Sequence, residues 1–426
     1  HVRIADGYGG YGYAEYADER QLQRANSVRV MSKVRLLAAA ALLAFGLVAH
    51  AGSRVLSSSL TYLGTISITH SDGSCAESPN ARALGLTYNP SGNGGAGSFY
   101  ISHRWGSDCM AEITKPAVGG TATFIQSFQS VLGNLSSLDA SCSNGCYIGG
   151  HLLHAGNLYV TGFTYYDADG NQPLSIWTRS PTLSSTAGRT GPVAAVTAGN
   201  QGMANAWMDN VPAAHQAALG QAVIGGCCWS IITRTSLGPA LYSFNPSSLG
   251  AGAAMVQYPD GHQTLNAWGA AGSHPEANPT TKIGAMTFVD GTDTVLFIGN
   301  TGTGEYCYGT GCTDPDAPGV QGAHAYPYVH YVWAYDVDDL ALAKAGTINP
   351  WDVQPYAMWE LPSLGNVTYS DEWSVIGAAF DAAANRLYVL KSRDTGGAAW
   401  PQLHVYSVDT GGSGLLPGPS NFRRIP

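Results

Sequence analysis

Charged side chains are scarce in this chain of 426 residues, since Asp, Glu, Lys and Arg together make up 12% of it. Basic residues are the scarcer of the two signs, with 20 Lys and Arg against 29 Asp and Glu and a formal net charge of −9. Nucleic acids and anionic membrane surfaces are bound through clusters of Lys and Arg. The composition therefore predicts that the partner is neither a nucleic acid nor an anionic membrane.

Long apolar runs are also missing, with one exception near the N-terminus. Met31–Ala51 has a basic start at Lys33 and Arg35, then an apolar run, and small residues at Ala49 and Ala51. These are the parts of a secretory signal peptide, and the run is too short for a stable membrane span. We expect cleavage after Ala51, a secreted or periplasmic protein, and no membrane span in the rest of the chain.

Residues 1–30 contain no methionine and precede this signal. We interpret them as translated upstream sequence outside the working protein, and the alternative is a Gly- and Tyr-rich extension. The working protein is then residues 52–426, predicted to be one domain, with 14 Lys and Arg against 25 Asp and Glu and a net charge of −11.

Several enzyme motifs are absent. The sequence contains neither the Gly-x-Ser-x-Gly elbow of serine hydrolases nor the His-Glu-x-x-His motif of zinc peptidases. No pair of cysteines is followed by a second pair at zinc-finger spacing, so we do not expect zinc.

The chain has instead a repeated group of short strands. Val375–Asp409 is the clearest copy, with the segments VIGAAFD, RLYVLKS and QLHVYSVD separated by turn signals. Four earlier copies begin at Ala81, Tyr147, Leu219 and Lys282. Each earlier copy is followed by one more apolar strand, whereas the last copy is not. The missing strand is found at the front, at Ser59–Thr69.

Four-strand units of this kind, the last completed from the N-terminal side, are typical of a β-propeller, because closing the ring removes unpaired strand edges. The sequence therefore predicts an all-β fold, a five-bladed β-propeller closed by an N-terminal strand. The alternatives are a β-sandwich and a six-bladed ring with one blade hidden in Ser185–Gln216.

Eight cysteines follow the signal, and an even number in an exported chain predicts disulfides. Proximity in sequence suggests the pairs Cys142–Cys146, Cys307–Cys312 and Cys227–Cys228, which leaves Cys75–Cys109, although other pairings stay open. A bond between adjacent cysteines is strained, and such strain tends to lie at functional sites. Quinoprotein dehydrogenases have one, but their eight blades and Trp-docking repeats are absent here, so we expect no quinone.

In a propeller, two kinds of loop emerge on the same face of the ring. One joins the second strand of a blade to its third, and the other joins the fourth strand of a blade to the first strand of the next blade. These loops are long here, and we name their side of the ring the long-loop face. Long loops in a compact domain are usually functional, and aromatic and polar side chains together suit a sugar. The predicted ligand-binding residues are Arg104, Trp105, Trp207, Asp209, Arg234, His324, Tyr326, Trp373 and Arg393. The alternative for any one of them is a role in sealing a loop.

Glycoside hydrolysis needs two carboxyl groups about 5–10 Å apart. The candidates are Glu305 with Asp371 or Asp209. Five-bladed glycosidases carry an Asp at the start of the first inner strand, and the corresponding segment here, SPNARALGL, has none. Asp167–Asn171 (DADGN) is like part of a calcium loop without its bidentate Glu, so calcium is the one cofactor we consider and none is expected.

Three runs, Cys227–Tyr242, Gly304–Trp359 and the ending VIGAAFDAAANRLYVLKS, resemble a group of exported bacterial β-propeller proteins. The resemblance covers most of residues 52–426. It implies the fold and export, and it supplies no activity and no catalytic residue. The first hypothesis is that the chain binds a carbohydrate or another extracellular polymer on the long-loop face. The second is a glycoside hydrolase or lyase on that face, and the third is an extracellular matrix or surface structural protein.

Overall fold

The structure is a computed structural model that describes residues 52–68, 83–103, 108–138, 145–165, 174–194, 204–227, 236, 238–249, 252–259, 277–369, 374–392 and 401–411. The chain divides into the units His1–Ala51 and Gly52–Pro426. All of the described residues belong to the second unit. Among them, no helix is long and apolar enough to cross a membrane.

The described chain consists mostly of short strands. The first ten are β1 (Leu60–Ile68), β2 (Ala83–Asn89), β3 (Ser98–His103), β4 (Cys109–Thr114), β5 (Thr121–Ala122), β6 (Phe124–Ser130), β7 (Cys146–His154), β8 (Asn157–Thr164), β9 (Ile176–Arg179) and β10 (Thr190–Val193). The next seven are β11 (Met208–Asn210), β12 (Val223–Gly225), β13 (Leu241–Phe244), β14 (Gly252–Val256), β15 (Lys282–Val289), β16 (Thr294–Gly302) and β17 (Cys307–Tyr308). The last six are β18 (Ala323–His324), β19 (Tyr328–Asp336), β20 (Ala357–Glu360), β21 (Val375–Asp381), β22 (Arg386–Lys391) and β23 (Gln402–Val408).

Helices are short and lie between strands. The described residues include α1 (Ala213–Leu219), α2 (Val337–Lys344) and the 3-10 helices Ser57–Ser59, Asn93–Gly95, Leu135–Ser137 and Pro362–Leu364. The prediction of an all-β fold did not include α1 and α2. α2 begins with a side-chain cap, since the Asp336 side chain accepts a hydrogen bond from the Asp338 backbone N–H. Pro212 is the N-cap residue of α1, and no side chain caps that helix.

Twenty of the described strands form five four-stranded sheets arranged as the blades of a β-propeller, and β17 and β18 form a separate two-stranded sheet. The strand orders of the blades are β2-β3-β4-β6, β7-β8-β9-β10, β11-β12-β13-β14, β15-β16-β19-β20 and β21-β22-β23-β1. The five inner strands, β2, β7, β11, β15 and β21, contact one another in cyclic order. The prediction of five blades is confirmed. Ser185–Gln216 contributes β10 to blade two and β11 to blade three, not a sixth blade.

The fifth blade takes its outer strand from the start of the described chain. β1 runs antiparallel to β23, with Leu60 opposite Val408 and Ser67 opposite Gln402. The outer edge of β1 then pairs in parallel with β5, which precedes the last strand of blade one. The first and last blades therefore meet at this edge.

Blade three differs from its predicted order. The sequence placed its first strand at LGQAVIGG, whereas the structure has Met208–Asn210 as the inner strand and Val223–Gly225 as the second. The reason is α1, an Ala-rich helix that ends at Gly220 in the left-handed conformation and occupies the first turn of this blade. Asp209 therefore lies on an inner strand and not on a loop.

Glycines let the inner strands approach one another at the axis. The pairing of first and second strands shifts register near Gly85, Gly149, Gly284 and Gly377 in blades one, two, four and five. A Cβ at Gly85 would lie 2.7 Å from His151 Nε2, and one at Gly377 would lie 2.7 Å from the Leu86 nitrogen. Only residues without a side chain fit at these points of contact.

The hydrophobic core lies between neighbouring blades. Phe99 of blade one and Tyr388 of blade five have ring centroids 4.8 Å apart, and Trp207 and Phe297 of blades three and four are 6.2 Å apart. Such aromatic pairs add to the stabilisation from buried apolar area. The core thus holds the inner strands in place around the axis.

Candidate functional site

A cavity of about 370 Å³ lies on the ring axis, at the end where the inner strands finish and turn into the second strands. We name it the axial cavity. It is lined by Leu86, Thr87, Tyr88, Pro90, Leu152, Met208, Asp209, Asn210, Pro212, Phe288, Asp290 and residues 378–383. All five blades contribute, and the volume falls within the range of about 300–1,000 Å³ that is usual for small-molecule sites. The cavity lies on the face opposite the long-loop face.

The floor of the axial cavity is nearly closed. Below it the axis narrows to a space of about 10 Å³, lined by the close-packed glycines together with His151, Trp207 and Met286. Thr87 Oγ1 is 2.8 Å from His151 Nδ1, which ties blades one and two together at this level. Trp207, predicted to bind ligand, is buried in this constriction and packs on Phe297.

Asp209 is a half-buried carboxyl group on the inner strand of blade three. Its Oδ2 accepts hydrogen bonds from Phe288 N at 2.9 Å and Thr287 Oγ1 at 2.8 Å, and its Oδ1 accepts one from Asn210 N at 2.8 Å. Desolvation raises the pKa of Asp209 to about 6, against the opposing effect of these hydrogen bonds, and the charge of Asp290 adds to the rise. Asp209 therefore keeps its proton to a higher pH than an ordinary Asp.

Asp381 differs from Asp209 in that its pKa is lowered and not raised. It is buried and forms a salt bridge with Lys115 Nζ at 2.6 Å. The same Nζ donates to Tyr88 OH at 3.0 Å and lies 4.8 Å from the centre of that ring. Desolvation alone would raise the pKa of Asp381, but the hydrogen bond and charge of Lys115 outweigh it and lower the pKa. Asp381 is therefore held ionised, and its partner comes from blade one.

The mouth of the axial cavity is polar. Asp290 is exposed, and desolvation raises its pKa while the charge of His215 lowers it. Asn210 is also exposed, with its side-chain oxygen 2.6 Å from His154 Nδ1. Phe288, Phe380 and residues 382–383 form apolar walls between these groups. The described residues that line the cavity include no Lys, Arg or His, so it combines apolar walls with hydrogen-bonding acids and amides.

The long-loop face contains a compact insertion between β16 and β19, residues 303–327, which we name the blade-four insertion. Glu305 is exposed there, whereas His324 is buried. His324 Nδ1 is 2.9 Å from Asp314 Oδ2, its Nε2 is 2.9 Å from the Val320 carbonyl oxygen, and its ring stacks on Tyr369 at 4.6 Å. Both ring nitrogens thus face acceptors inside the insertion.

Tyr328 joins the same cluster, donating a hydrogen bond of 2.5 Å to Asp314 Oδ2. Desolvation raises the pKa of Asp314, but the hydrogen bonds from Tyr328 and His324 outweigh it and lower the pKa. Tyr326 is instead 42% exposed, next to Tyr328. Of the predicted ligand-binding residues in this insertion, Tyr326 is the one whose side chain is open to solvent.

The structure does not bring all predicted site residues together. Seven strand positions of β16 separate the level of Phe288, where Asp209 is bound, from the insertion that carries Glu305. At about 3.4 Å per residue this is about 24 Å, so Asp209 and Glu305 lie at opposite ends of blade four. Asp371 lies outside the described residues, and its pairing with Glu305 stays a prediction. The other predicted residues outside the described part are Arg104, Trp105, Arg234, Trp373 and Arg393.

One predicted disulfide is confirmed. Cys307 and Cys312 are bonded within the blade-four insertion. Cys109, Cys146 and Cys227 are also disulfide-bonded. Their predicted partners, Cys75, Cys142 and Cys228, lie outside the described residues, so these pairings stay predictions. The calcium-like fragment Asp167–Asn171, at which no cofactor was expected, lies outside the described residues. Among the described residues, no group of three or more His, Cys, Asp or Glu could hold a metal.

Sequence reasoning missed several residues of the axial cavity. The residues missed are Asp290, Phe380, Asp381 and Lys115. The prediction was based on long loops, whereas these four residues lie at strand ends or in short connections. A signal was present. The first strands of blades four and five end in TFVD and AAFD, which place an acid after an aromatic residue at the same end of the ring.

Comparison with solved structures gives distant likenesses. The arabinanase of Bacillus subtilis is 12% identical, with 76% of this chain and 94% of that chain covered and a TM-score of 0.40. A GH130-family glycoside hydrolase that targets β-1,2 mannosidic linkages in Candida mannan is 11% identical, with 85% and 95% covered and a TM-score of 0.42. The Cellvibrio cellulosa α-L-arabinanase is 11% identical, with 76% and 90% covered and a TM-score of 0.34.

These likenesses are too distant to assign the chain a family or an activity. No protein-family model matches the chain, and no curated protein matches it in sequence.

Proposed function

We propose that this protein binds a sugar unit of an extracellular carbohydrate or related polymer in the axial cavity. The observation that carries the proposal is the convergence of acids, an amide and aromatic walls from four of the five blades on one cavity of about 370 Å³. Carboxylate and amide groups bind hydroxyl groups, and aromatic rings cover the C–H faces of a sugar ring. Asp209, Asn210 and Asp290 are the polar groups, and Tyr88 and Phe380 are the walls.

Export is part of this proposal. The sequence has a signal-like segment, and the Cys307–Cys312 bond supports an oxidising compartment. The long-loop face stays a second predicted site for the same class of ligand, since most of its selected residues lie outside the described part of the chain. Assembly into a matrix or surface structure stays the third hypothesis.

A glycan array with the exported protein tests the binding function, followed by titration calorimetry on the best glycan. We expect a positive glycan whose affinity falls at least tenfold in Phe380→Ala and Asn210→Ala, and stays within twofold in Tyr326→Ala on the long-loop face. A flat array, or loss of binding only in Tyr326→Ala, contradicts the proposal.

A glycoside hydrolase is the second candidate, and one contrast favours it. Asp209 has a raised pKa, of about 6, while the pKa of Asp381 in the same cavity is lowered. Glycosidases need one protonated and one ionised carboxyl group, and pairs with separated pKa values mark acid and base roles. In this reading Asp209 donates a proton to the leaving-group oxygen as the glycosidic C–O bond breaks and water adds to the sugar.

Release of reducing sugar from the bound glycan is the measurement for this second candidate. We expect Asp209→Asn to lower kcat by at least a hundredfold, because the amide has no proton to donate. Glu305→Gln, at the opposite end of blade four, serves as the comparison and should retain activity. The reverse pattern would assign hydrolysis to the long-loop face.

A further inference from the structure

The backbone that directly follows the predicted cleavage position is fixed on blade four. Ser53 O accepts a hydrogen bond of 3.1 Å from Asp293 N, and Val55 N donates one of 3.1 Å to Thr294 Oγ1. Val55 is fully buried, and its carbonyl oxygen accepts a hydrogen bond of 2.7 Å from Tyr356 OH. Ordered packing thus begins within the first few residues after Ala51.

Gly52 lies directly against the carboxylate of Asp293. A Cβ added at Gly52 would overlap both oxygens of that carboxylate, so no residue with a side chain fits at this position without a shift. Ordinary bond lengths then place the Gly52 nitrogen within about 5 Å of the carboxylate. Asp293 itself is only 6% exposed.

The Asp293 carboxylate has no close positive partner in the described part of the chain. It accepts no hydrogen bond there, and the nearest basic atom is His215 Nε2, at 3.6 Å. That nitrogen lies 3.0 Å from the Thr292 carbonyl oxygen, to which it donates its hydrogen bond. A buried carboxylate without a hydrogen-bonded counter-charge is costly to the folded state.

The neighbouring charges increase this cost. Arg54, the arginine of residues 52–55, forms its ion pair with Asp336 and not with Asp293. The pKa of Asp338 is raised, first by desolvation and then by the negative charges of Asp336 and Asp293, while Arg54 and His215 oppose the rise. The surroundings of Asp293 therefore hold more negative than positive charge.

We propose that cleavage of the Ala51–Gly52 peptide bond creates an α-ammonium group on Gly52 that binds the Asp293 carboxylate. Water is consumed in this hydrolysis, with a peptidase of the export machinery as the catalyst. The C–N bond breaks, Ala51 keeps the new carboxylate, and the Gly52 nitrogen becomes a protonated amine. In the uncleaved chain the same nitrogen is a neutral amide. Processing at this bond therefore supplies the counter-charge that blade four lacks.

The sign of the pH dependence follows from the pair. A carboxylate partner raises the pKa of the α-amino group above its usual value of about 7.7–8.0. The stabilisation is fully present below that value and is lost as the pH rises through the higher pKa of the folded protein. His215, Asp338 and Arg54 also face this region, so the comparison must be made between chains that differ only at the N-terminus.

The test begins with the mass of the exported protein, which we expect to start at Gly52. Its thermal midpoint at pH 7 is then compared with that of a chain that carries one extra alanine before Gly52, with the extension confirmed by mass. We expect the extended chain to melt about 2–5 °C lower, and the difference to shrink above about pH 9. In Asp293→Asn the extension should have no effect, whereas in Asp316→Asn, an exposed acid of the blade-four insertion, it should keep its full effect.

Three results would overturn the proposal: a mature chain that starts elsewhere, equal midpoints for the processed and extended chains at pH 7, or a difference that is unchanged by Asp293→Asn. If the Asp293 variant does not fold, the deciding result is how the difference in thermal midpoint between the processed and extended wild-type chains changes with pH. A difference caused by the α-ammonium group of Gly52 shrinks above about pH 9, where that group loses its proton.

Discussion

The axial cavity and the blade-four insertion lie at opposite ends of the ring, and they use similar residues in different ways. The insertion contains His324, Asp314 and Tyr328, whose polar atoms are bonded to one another, and a disulfide joins its first strand to the following turn. The axial cavity contains acids whose side chains line an open space. The contrast shows that acidic and aromatic residues of a long loop can be bonded to one another, whereas the short strand ends keep Asp290 and Asn210 exposed at the mouth of a cavity.

The largest expected effect is on the wall of the axial cavity. Lys115→Met leaves the buried Asp381 carboxylate without its salt bridge, and we expect the free energy of unfolding to fall by about 3–5 kcal/mol. Urea unfolding at pH 7 measures this. The double variant Lys115→Met with Asp381→Leu should recover most of the loss, because no buried charge is then left unpaired. A double variant as unstable as the single one would show that packing, and not charge, is responsible.

The next effect concerns pH. Asp209 has a folded pKa of about 6, above the usual value of about 3.9, so its contribution to stability is greatest below about pH 4 and is lost as the pH rises through 6. The loss corresponds to about 2–3 kcal/mol. The difference between wild type and Asp209→Asn, measured by urea unfolding from pH 4 to 8, should change by this amount. A difference that is constant with pH would mean that Asp209 is ionised throughout.

The disulfide of the blade-four insertion should matter locally. The double variant Cys307→Ser with Cys312→Ser removes a bond that closes a very short loop, and the chain-entropy relation gives about 2 kcal/mol. We expect faster amide hydrogen exchange in residues 303–327 and unchanged exchange in the inner strands. Faster amide exchange around the axial cavity would contradict this prediction, because it would show that the two ends of the ring are coupled.

The smallest effect compares two neighbouring tyrosines of the long-loop face. Tyr328→Phe removes the hydrogen bond to the ionised Asp314, at a cost of about 1.5 kcal/mol. Tyr326→Phe removes an exposed hydroxyl group and should change the free energy of unfolding by less than about 0.5 kcal/mol. Equal costs would mean that the Asp314 cluster does not stabilise the insertion.

The five repeats predicted the fold well because strand alternation and turn residues are local features, repeated in each blade. The partner of β1 was also expected from the strand that the fifth repeat lacks, and β1 does pair with β23. The prediction for blade three was wrong because the sequence analysis took the apolar run of β12 for the inner strand. The helix α1 lies in the first turn of this blade, between the true inner strand β11 and β12.

The candidate site was harder to predict, because it depends on contacts between distant parts of the chain. Asp209 was selected, but its surroundings were not: Thr287 and Phe288 bond to it from the next blade. Lys115 and Asp381 are 266 positions apart and meet only where blades one and five adjoin. Loop length does not indicate either of these contacts between blades. It favoured the long-loop face, where the polar side chains of the blade-four insertion are bonded mainly to one another.

The binding proposal is tested most directly by a crystal structure of the protein with the glycan that binds best on the array. We expect sugar density in the axial cavity, within hydrogen-bond distance of Asp209 or Asn210 and against the ring of Phe380. Density on the long-loop face beside Tyr326, with the axial cavity filled only by water, would contradict it.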